Sequence, residues 1–322
     1  NKSAALLLNK SVVSSGQIQS GDGLRIYYVD QNDADFSDPG WLNCLSAMEA
    51  YSGTIIVPLP TSAKNLVFRN VVAHCETMST IANKKERLAF IGACKGLDAA
   101  ALLGTKEVAI EDIGVIEGIQ GDEVSELLSG DVEDLVNYKL NNMFTSNRCC
   151  YFYPDEINFN NESYDGYYIA AAAAGFFCTD GRISSTPLTN KSLTGFSLDP
   201  SKELNSTTLN QLGNVGATVL QGAASPRVLA SRTTSITGFI EDEEPSIMLV
   251  RDEIKEILRG IAKGQVGTVQ SLTGSINLQL RIEGVMKGLV SRGLITSFRG
   301  LRVEQDKVDP RQLNVYVGYT PA

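Results

Sequence analysis

The segment from Thr54 to Ile91, TIIVPLPTSAKNLVFRNVVAHCETMSTIANKKERLAFI, contains two short apolar runs on either side of a helical pattern. The runs Thr54-Ile-Ile-Val57 and Leu88-Ala-Phe-Ile91 have the length and the β-branched or aromatic content of buried strands. Between them, one face of a predicted helix carries Val67, Val71, His74 and Met78. A strand, a helix and a second strand in this order favour a parallel βαβ unit.

The same alternation extends outward along the chain. Leu24-Arg-Ile-Tyr-Tyr-Val29 and Cys149 to Tyr153 are predicted strands, and Ser37-Asp38-Pro39 offers a capped helix start. Tyr168 to Phe177 is Ala-rich and apolar all round, which predicts a buried helix. The sequence therefore predicts an α/β fold, doubly wound, with a mainly parallel sheet covered by helices on both faces.

Other stretches are less regular. Val124 to Phe144 indicates two helical pieces, and Gly181 to Thr237 is rich in Ser, Thr, Asn and Gly, which is typical of loops and short strands. We expect residues 24–245 to form the α/β domain and residues 1–23 to be an N-terminal extension, such as the remnant of a preceding domain. Because the sequence opens at Asn1 without an initiator Met, we also expect a fragment or a processed product.

A smaller α+β domain is predicted over residues 246–322. Ile247 to Val250 indicates a strand, Asp252 to Ile261 a helix, and Leu272 to Val290 a longer helix that ends near Gly293. The last two runs alternate as the strands of a hairpin do: Ile295 to Val303 and Leu313 to Tyr319.

Composition excludes several classes of function. Of the 322 residues, 43% are hydrophobic, so a large core can be buried, and the net charge is −9. An acidic chain is a poor nucleic-acid binder, because phosphate binding needs Lys and Arg. The longest nearly continuous apolar run, Ile169 to Cys178, is about half of what a membrane-spanning helix needs. We expect neither nucleic-acid binding nor membrane insertion.

Catalytic and ligand-binding motifs are missing from the sequence. His74 is the one histidine, so a zinc site with two histidines cannot form, and its apolar helix face favours a core or half-buried role over that of a general base. No phosphate-binding glycine motif and no nucleophile elbow occurs. The six cysteines have no spacing typical of zinc or disulfide frameworks: Cys44, Cys75, Cys94, Cys149, Cys150 and Cys178. We expect no catalytic residue, metal or cofactor, and favour a structural or assembly role.

One charge pattern stands out in the predicted C-terminal domain. Basic residues recur at every fourth position, which places them along one side of a helix: Arg251, Lys255, Arg259 and Lys263. Ile254, Ile257, Leu258 and Ile261 form the opposite, apolar stripe. The basic ridge formed by the four cations is either an ordinary solvated face or a docking surface for an acidic partner.

Several short segments follow one another in a characteristic order along the chain. The segments are Trp41-Leu-Asn-Cys-Leu-Ser-Ala-Met-Glu49, Ile55-Ile-Val-Pro58, Arg87-Leu-Ala-Phe-Ile-Gly92, Tyr151-Phe-Tyr-Pro154, Ala170 to Gly181, Pro187-Leu-Thr-Asn190, Leu209 to Val215 and Ala230-Ser-Arg-Thr233. Each motif is weak by itself, but their order over about residues 24 to 319 resembles that of the tail sheath subunit of contractile-tailed bacteriophages and related injection systems. Ser231 and the lack of a clean Gly-Val-Asn after Leu209 depart from the family pattern.

The resemblance implies a subtilisin-like domain without a protease site and a C-terminal domain near the inner tube. It further implies self-assembly into stacked hexameric rings around a tail tube, with baseplate and tail terminator proteins as other partners. Such a chain would be assembled in the host cytoplasm, reside in the virion and contract to drive the tube through the host envelope. Leu313, Val315 and Val317 are then candidates for strand exchange between subunits, and the basic ridge for docking onto a subunit or the tube.

Two alternatives remain from the sequence. The first is an α/β enzyme, hydrolase-like in fold, whose polar groups converge around His74 or a pair of carboxylates. The second is another oligomeric virion component, such as a baseplate part, that shares the fold.

Overall fold

A computed structural model describes residues 2–8, 24–30, 39–51, 53–59, 65–109, 135–139, 145–178, 185–193, 195–264, 272–308 and 312–322. The chain divides into two compact units. The larger unit contains residues 1–180 and 188–245, and the smaller contains residues 181–187 and 246–322. Residues 181–187 group with the smaller unit, although the sequence prediction placed them in the α/β domain, and the predicted domain limits otherwise stay a prediction.

The described strands are β1 (Lys2–Leu8), β2 (Leu24–Asp30), β3 (Ile55–Leu59), β4 (Leu88–Gly92), β5 (Leu103–Ala109), β6 (Leu135–Lys139), β7 (Cys149–Tyr153), β8 (Glu156–Phe159), β9 (Glu162–Asp165), β10 (Phe196–Ser197), β11 (Ala217–Gln221), β12 (Arg227–Ala230), β13 (Ile295–Gln305) and β14 (Leu313–Pro321). The described helices are α1 (Pro39–Glu49), α2 (Asn65–Met78), α3 (Ala99–Leu102), α4 (Tyr167–Cys178), α5 (Ser206–Asn214), α6 (Ile240–Glu243), α7 (Pro245–Lys263) and α8 (Leu272–Ser291). None of these helices combines the length and the apolarity that crossing a bilayer requires.

Seven of the described strands form one sheet in the order β12-β11-β7-β4-β3-β1-β2. The four central strands β11, β7, β4 and β3 are parallel, and β12, β1 and β2 are added antiparallel at the two sides. Every residue of β4 and β7 is buried, which explains their continuous apolar sequences. The predicted mixed α/β fold with a mainly parallel sheet is confirmed.

Helices cover both faces of this sheet. On one face α1, α2, α3 and α5 pack against strand residues such as Ile56, Ile91 and Tyr151. On the other face lies α4, where Phe177 meets Phe90 edge-on with ring centroids 5.8 Å apart. The helices predicted after Asp38, between β3 and β4, and from Tyr168 are confirmed.

Three sequence predictions differ from the structure. Residues 2–8, placed in an N-terminal extension, form β1, which is paired on both sides inside the sheet. The helical prediction for Val124 to Phe144 is wrong at Leu135–Lys139, which is strand β6, and its other residues lie outside the described ones. Ile247 to Val250 is not a strand but the first part of α7, because a run of four apolar residues fits either element.

The loop-rich prediction for Gly181 to Thr237 holds with one addition. The described part contains the short strands β10, β11 and β12 together with helix α5. Asn205 caps α5, since its side chain accepts a hydrogen bond from the Thr208 amide at 2.9 Å.

The smaller unit packs α7 and α8 against the β13–β14 hairpin. Its core contains Ile254 from α7 and Ile282 and Met286 from α8. Gly293, with a φ of 72°, follows the end of α8. The Leu294 and Gly293 amides donate to the carbonyls of Leu289 and Val290 at 3.1 and 2.9 Å, which is a Schellman termination. The two predicted helices and the hairpin are therefore confirmed.

Two glycines allow the backbone at the end of β4 to pass close to the backbone at the start of α4. A Cβ on Gly92 would lie 2.1 Å from the Cα atom of Tyr167, and a Cβ on Gly166 would lie 2.0 Å from the Pro154 carbonyl oxygen. Because the obstructing atoms are backbone, no side-chain rotation relieves these clashes. The position of α4 on the sheet therefore depends on glycine at both places.

We predict that Gly92→Ala lowers the free energy of unfolding by about 3 kcal/mol or more, since α4 must shift to admit the methyl group. Gly175→Ala is the matched control, because a Cβ there meets no atom within 4 Å and alanine is the better helix former. Urea denaturation measures both variants. An unfolding midpoint for Gly92→Ala at or above that of the wild type would contradict the close crossing.

Candidate functional site

The basic ridge lies along α7 as the spacing predicts. Arg251, Lys255 and Arg259 are half-buried and Lys263 is exposed. The Lys255 ammonium lies 3.9 Å from a carboxylate oxygen of Asp252, one turn earlier. Such an i,i+3 pair compensates part of the positive charge of the ridge.

The opposite side of α7 is the predicted apolar stripe. Ile254 is buried, and Ile257, Leu258 and Ile261 pack against the core of the smaller unit. The amphipathic arrangement of the helix is thereby confirmed. What the ridge binds stays a prediction.

The candidate strand-exchange residues face the interior of their own unit. Leu313, Val315 and Val317 are partly buried and pack against the same core as α7 and α8. Their strand β14 pairs with β13, and the two make a two-stranded sheet among the described residues. The side chains are thus already used inside the unit, so exchange with a partner chain would have to use the backbone edge of a strand.

His74 is half-buried and lies against Arg87, which is fully buried. Arg87 Nη1 and His74 Nε2 are 2.7 Å apart, and Arg87 Nη2 donates to the carbonyl oxygens of Met48, at 2.9 Å, and Tyr51. Because arginine only donates, Nε2 accepts and the imidazole carries its proton on Nδ1. Burial and the positive charge of Arg87 lower the pKa of His74 to about 4.

This geometry speaks against His74 as a general base. Its Nε2 atom is held by the guanidinium, and a base with a pKa near 4 takes up a proton weakly at neutral pH. The expectation of a half-buried structural histidine is confirmed. The sequence does not single out Arg87, because it follows three other charged residues, Lys84, Lys85 and Glu86, and only the fold shows which of the four is fully buried.

The cysteines also lack catalytic character. All six are free and buried. Burial raises the pKa of the Cys44 thiol to about 11 and that of Cys75 to about 12, and it raises the pKa values of Cys94, Cys149 and Cys150 further above the ordinary range. Neutral thiols are poor nucleophiles. Within the described part of the chain, no group of three or more His, Cys, Asp or Glu side chains is arranged to hold a metal ion.

A second polar cluster lies near the amino end of β7. The Ser146 amide donates to Thr234 Oγ1, and that hydroxyl donates to the Ser146 carbonyl, both at 3.1 Å. Ser146 Oγ donates to Glu76 at 2.6 Å, and Asn147 Nδ2 donates to Asp242 at 2.9 Å. These bonds join α2, β7 and the chain after β12, so their role is structural.

The larger unit should lose stability in mild acid because of His74. Its pKa is about 4 in the folded chain and about 6.5 when solvated, so the unfolded chain binds a proton that the folded chain does not over that range. Stability attributable to His74 is therefore present above about pH 6.5 and declines toward pH 4.

The test compares the wild type with His74→Gln, whose amide oxygen can still accept from Arg87. Urea denaturation measures the free energy of unfolding of both proteins. As the pH falls from 7 to 4.5, the wild type should lose more of this free energy than His74→Gln. The carboxylates titrate alike in both proteins, so their contribution cancels in the difference between the two unfolding free energies. Parallel stability curves for the two proteins would refute this role of His74.

The fold is that of sheath tail proteins from contractile systems. The chain matches the contracted helical sheath of the anti-feeding prophage with a TM-score of 0.61 and 13% identity, over 93% of this chain and 75% of that one. It matches the sheath tail protein of Desulfitobacterium hafniense with a TM-score of 0.60 and 11% identity, over 95% and 68%. A chain of the six-fold symmetrised baseplate of the anti-feeding prophage gives 0.60 and 13%, over 92% and 72%.

The sequence matches no protein-family profile. No curated protein is significantly similar to it either. With identities of 11 to 13%, the likeness establishes the fold.

Proposed function

We propose that this chain is a structural subunit of a contractile sheath that assembles around a tail tube. The observation that carries the proposal is the match to sheath structures over more than nine-tenths of the chain, across both units rather than one. Buried thiols and a weakly basic, arginine-bound histidine support a structural role over a catalytic one. In this proposal the larger unit is a subtilisin-like, doubly wound domain without a protease site.

The proposed assembly is a stack of hexameric rings of this chain. A six-fold symmetric structure of a related contractile particle contains a chain with the same fold, which favours this ring size. Contraction then requires subunits that move as rigid bodies and repack their interfaces. The dense core of the larger unit and the separate core of the smaller one provide such bodies.

Two surfaces of the smaller unit are proposed for the contacts. The backbone edge of the β13–β14 hairpin suits strand addition from a neighbouring subunit, in the segment that contains Leu313, Val315 and Val317. The basic ridge suits docking onto an acidic face of another subunit or of the tail tube. Baseplate and tail terminator proteins are the remaining proposed partners, with assembly in the host cytoplasm and residence in the virion.

The baseplate match supports a second candidate, a baseplate component of the same fold. A sheath subunit must polymerise without limit along one axis, because head-to-tail contacts between rings do not close. A baseplate component forms a closed ring and stops. The two candidates therefore differ in the size distribution of the assembled protein.

We predict that the purified chain polymerises above a critical concentration into tubes of uniform diameter, seen by negative-stain electron microscopy and as a sedimenting fraction. Co-expression with the cognate tail tube protein should lower that critical concentration. Closed rings that never stack would favour the baseplate role. Persistent monomers in the presence of the tube protein would count against both.

The basic ridge should matter for docking and not for folding. Lys255→Glu, Arg259→Glu and Lys263→Glu together should raise the critical concentration at least tenfold, since like charges would then face the acidic partner. Arg251 is left unchanged because its Nε atom is buried, so a substitution there would also disturb packing. Sedimentation measures the assembly, and circular dichroism checks the fold.

The matched control carries the same change of charge on exposed positions of the smaller unit outside the ridge and the hairpin: Arg281→Glu, Lys287→Glu and Arg292→Glu. It should assemble like the wild type. Equal assembly of the ridge variant and the wild type would show that the ridge is an ordinary solvated face.

A further inference from the structure

The two units of the chain carry opposite net charge. The smaller unit, residues 181–187 and 246–322, contains 12 Lys and Arg against 7 Asp and Glu, a net charge of +5. The larger unit contains 16 Lys and Arg against 30 Asp and Glu, a net charge of −14, and without the nine acids of residues 110–134 it still carries −5. Such a distribution favours contacts between the larger unit of one copy and the smaller unit of another over contacts between like units.

A group of apolar side chains is exposed on the larger unit. Ile236, Phe239 and Ile240 lie within five positions of one another and are 47%, 66% and 65% exposed. Single exposed apolar side chains are ordinary, whereas three together indicate a contact surface. Glu241 follows directly and is exposed as well, so the segment 236–241, which we call the apolar patch, carries a negative charge at its end.

The apolar patch is held in a defined conformation. Glu243 Oε1 accepts a hydrogen bond from the Gly238 amide at 2.8 Å, and Glu243 Oε2 lies 3.1 Å from Arg232 Nη1. The Thr233 amide donates to the Glu243 carbonyl at 2.7 Å. Because these contacts already order the backbone on both sides of the patch, docking of its side chains costs little further backbone entropy.

The partner of the apolar patch must present cations beside a surface that an aromatic ring can approach. The basic ridge on α7 does so at its C-terminal end, where Gly260 and Lys263 are exposed and Arg259 is half-buried. A Cβ on Gly260 would meet no atom within 4 Å, so the helix surface there is open. A phenyl ring placed on this glycine would lie beside the Lys263 side chain, since residues three apart on a helix are neighbours, and a cation–π contact would form.

The apolar patch and the basic ridge are unlike surfaces of one chain. When the patch of one copy contacts the ridge of another, each copy keeps one of the two surfaces free for a further copy. A head-to-tail contact of this kind either closes into a ring or continues as a filament. It therefore suits the repeated self-association that a sheath requires.

We propose that the apolar patch of one copy docks onto the basic ridge of a second copy, which buries Phe239 and Ile240 and brings Glu241 to the ridge cations. The proposal rests on the proposed function in one respect, that the chain assembles with itself. It names a neighbouring subunit, rather than the tail tube, as the partner of the ridge.

Removal of the apolar side chains tests the patch. Phe239→Ser and Ile240→Ser together should raise the critical concentration for assembly at least tenfold, measured by sedimentation at about 0.15 M salt. Both side chains are exposed, so this variant should unfold in urea at the same midpoint as the wild type. Leu42→Ser and Ile81→Ser together are the matched control, because these side chains are 50% and 86% exposed elsewhere on the larger unit, and they should leave assembly unchanged.

An exchange of charge tests whether the patch meets the ridge. Glu241→Lys should weaken assembly, and so should the ridge variant with Lys255→Glu, Arg259→Glu and Lys263→Glu. A chain that carries both sets of changes again has opposite charges facing each other, so it should assemble at a lower concentration than the ridge variant alone. Losses that simply add would overturn the pairing of the patch with the ridge.

Photo-crosslinking tests the contact directly. The full chain with p-benzoylphenylalanine in place of Phe239 is mixed with isotope-labelled wild-type chain and irradiated, and crosslinked peptides are identified by mass spectrometry. A crosslink to a labelled peptide from α7 is expected. Crosslinks to another part of the labelled chain, or none to it at any concentration, would overturn the proposal.

The failure of this contact and the failure of the sheath role give different results. If the wild type forms tubes and the variant with Phe239→Ser and Ile240→Ser forms them equally well, the contact is wrong while the sheath role stands. If the wild type forms no tubes but the crosslink to α7 of a labelled copy appears, the contact stands while the sheath role is wrong.

Discussion

The end of β4 and the beginning of α4 meet backbone against backbone at Gly92 and Gly166, and much of the larger unit is arranged around this contact. The Gly166 amide donates to the Asp155 carbonyl at 2.9 Å, and the Ala93 amide donates to the Phe152 carbonyl at 2.9 Å. The contact therefore fixes α4, β4 and the end of β7 relative to one another. It also positions the loops at the carboxyl edge of the sheet, where Asp155 accepts a hydrogen bond from the Gly96 amide.

The opposite end of the strands is held by polar groups that the core encloses. Arg87 joins α2 to the end of α1 through His74 and the Met48 carbonyl, while Ser146 and Thr234 exchange reciprocal hydrogen bonds. The hydrogen bonds of both Arg87 Nη atoms offset part of the cost of burying this charge. The polar contacts lie at the two ends of the sheet, while its middle is apolar, with Phe90, Phe152 and Phe177 on one face.

In the larger unit, side chains that are often reactive in proteins are buried or hydrogen-bonded within the fold. The histidine accepts a hydrogen bond from an arginine, and the six thiols are buried. These properties agree with the structural role proposed above. The smaller unit has its own core, and its amphipathic helix α7 keeps the cations on the side away from Ile254.

Local sequence determined the central strands and the helices between them, because a strand buried on both faces is apolar throughout and a helix on one face repeats every three or four residues. It likewise determined the one-sided cations of α7 and the end of α8 at Gly293. Tertiary structure decided the rest. Lys2–Leu8 lacks β-branched residues and is a strand because β2 and β3 pair with it on both sides. Arg87 is buried although its three neighbours in sequence are charged as well, which local sequence cannot distinguish. One cavity is lined by side chains from Lys95 to Gln211, and contacts between residues so far apart along the chain exist only once the sheet has assembled.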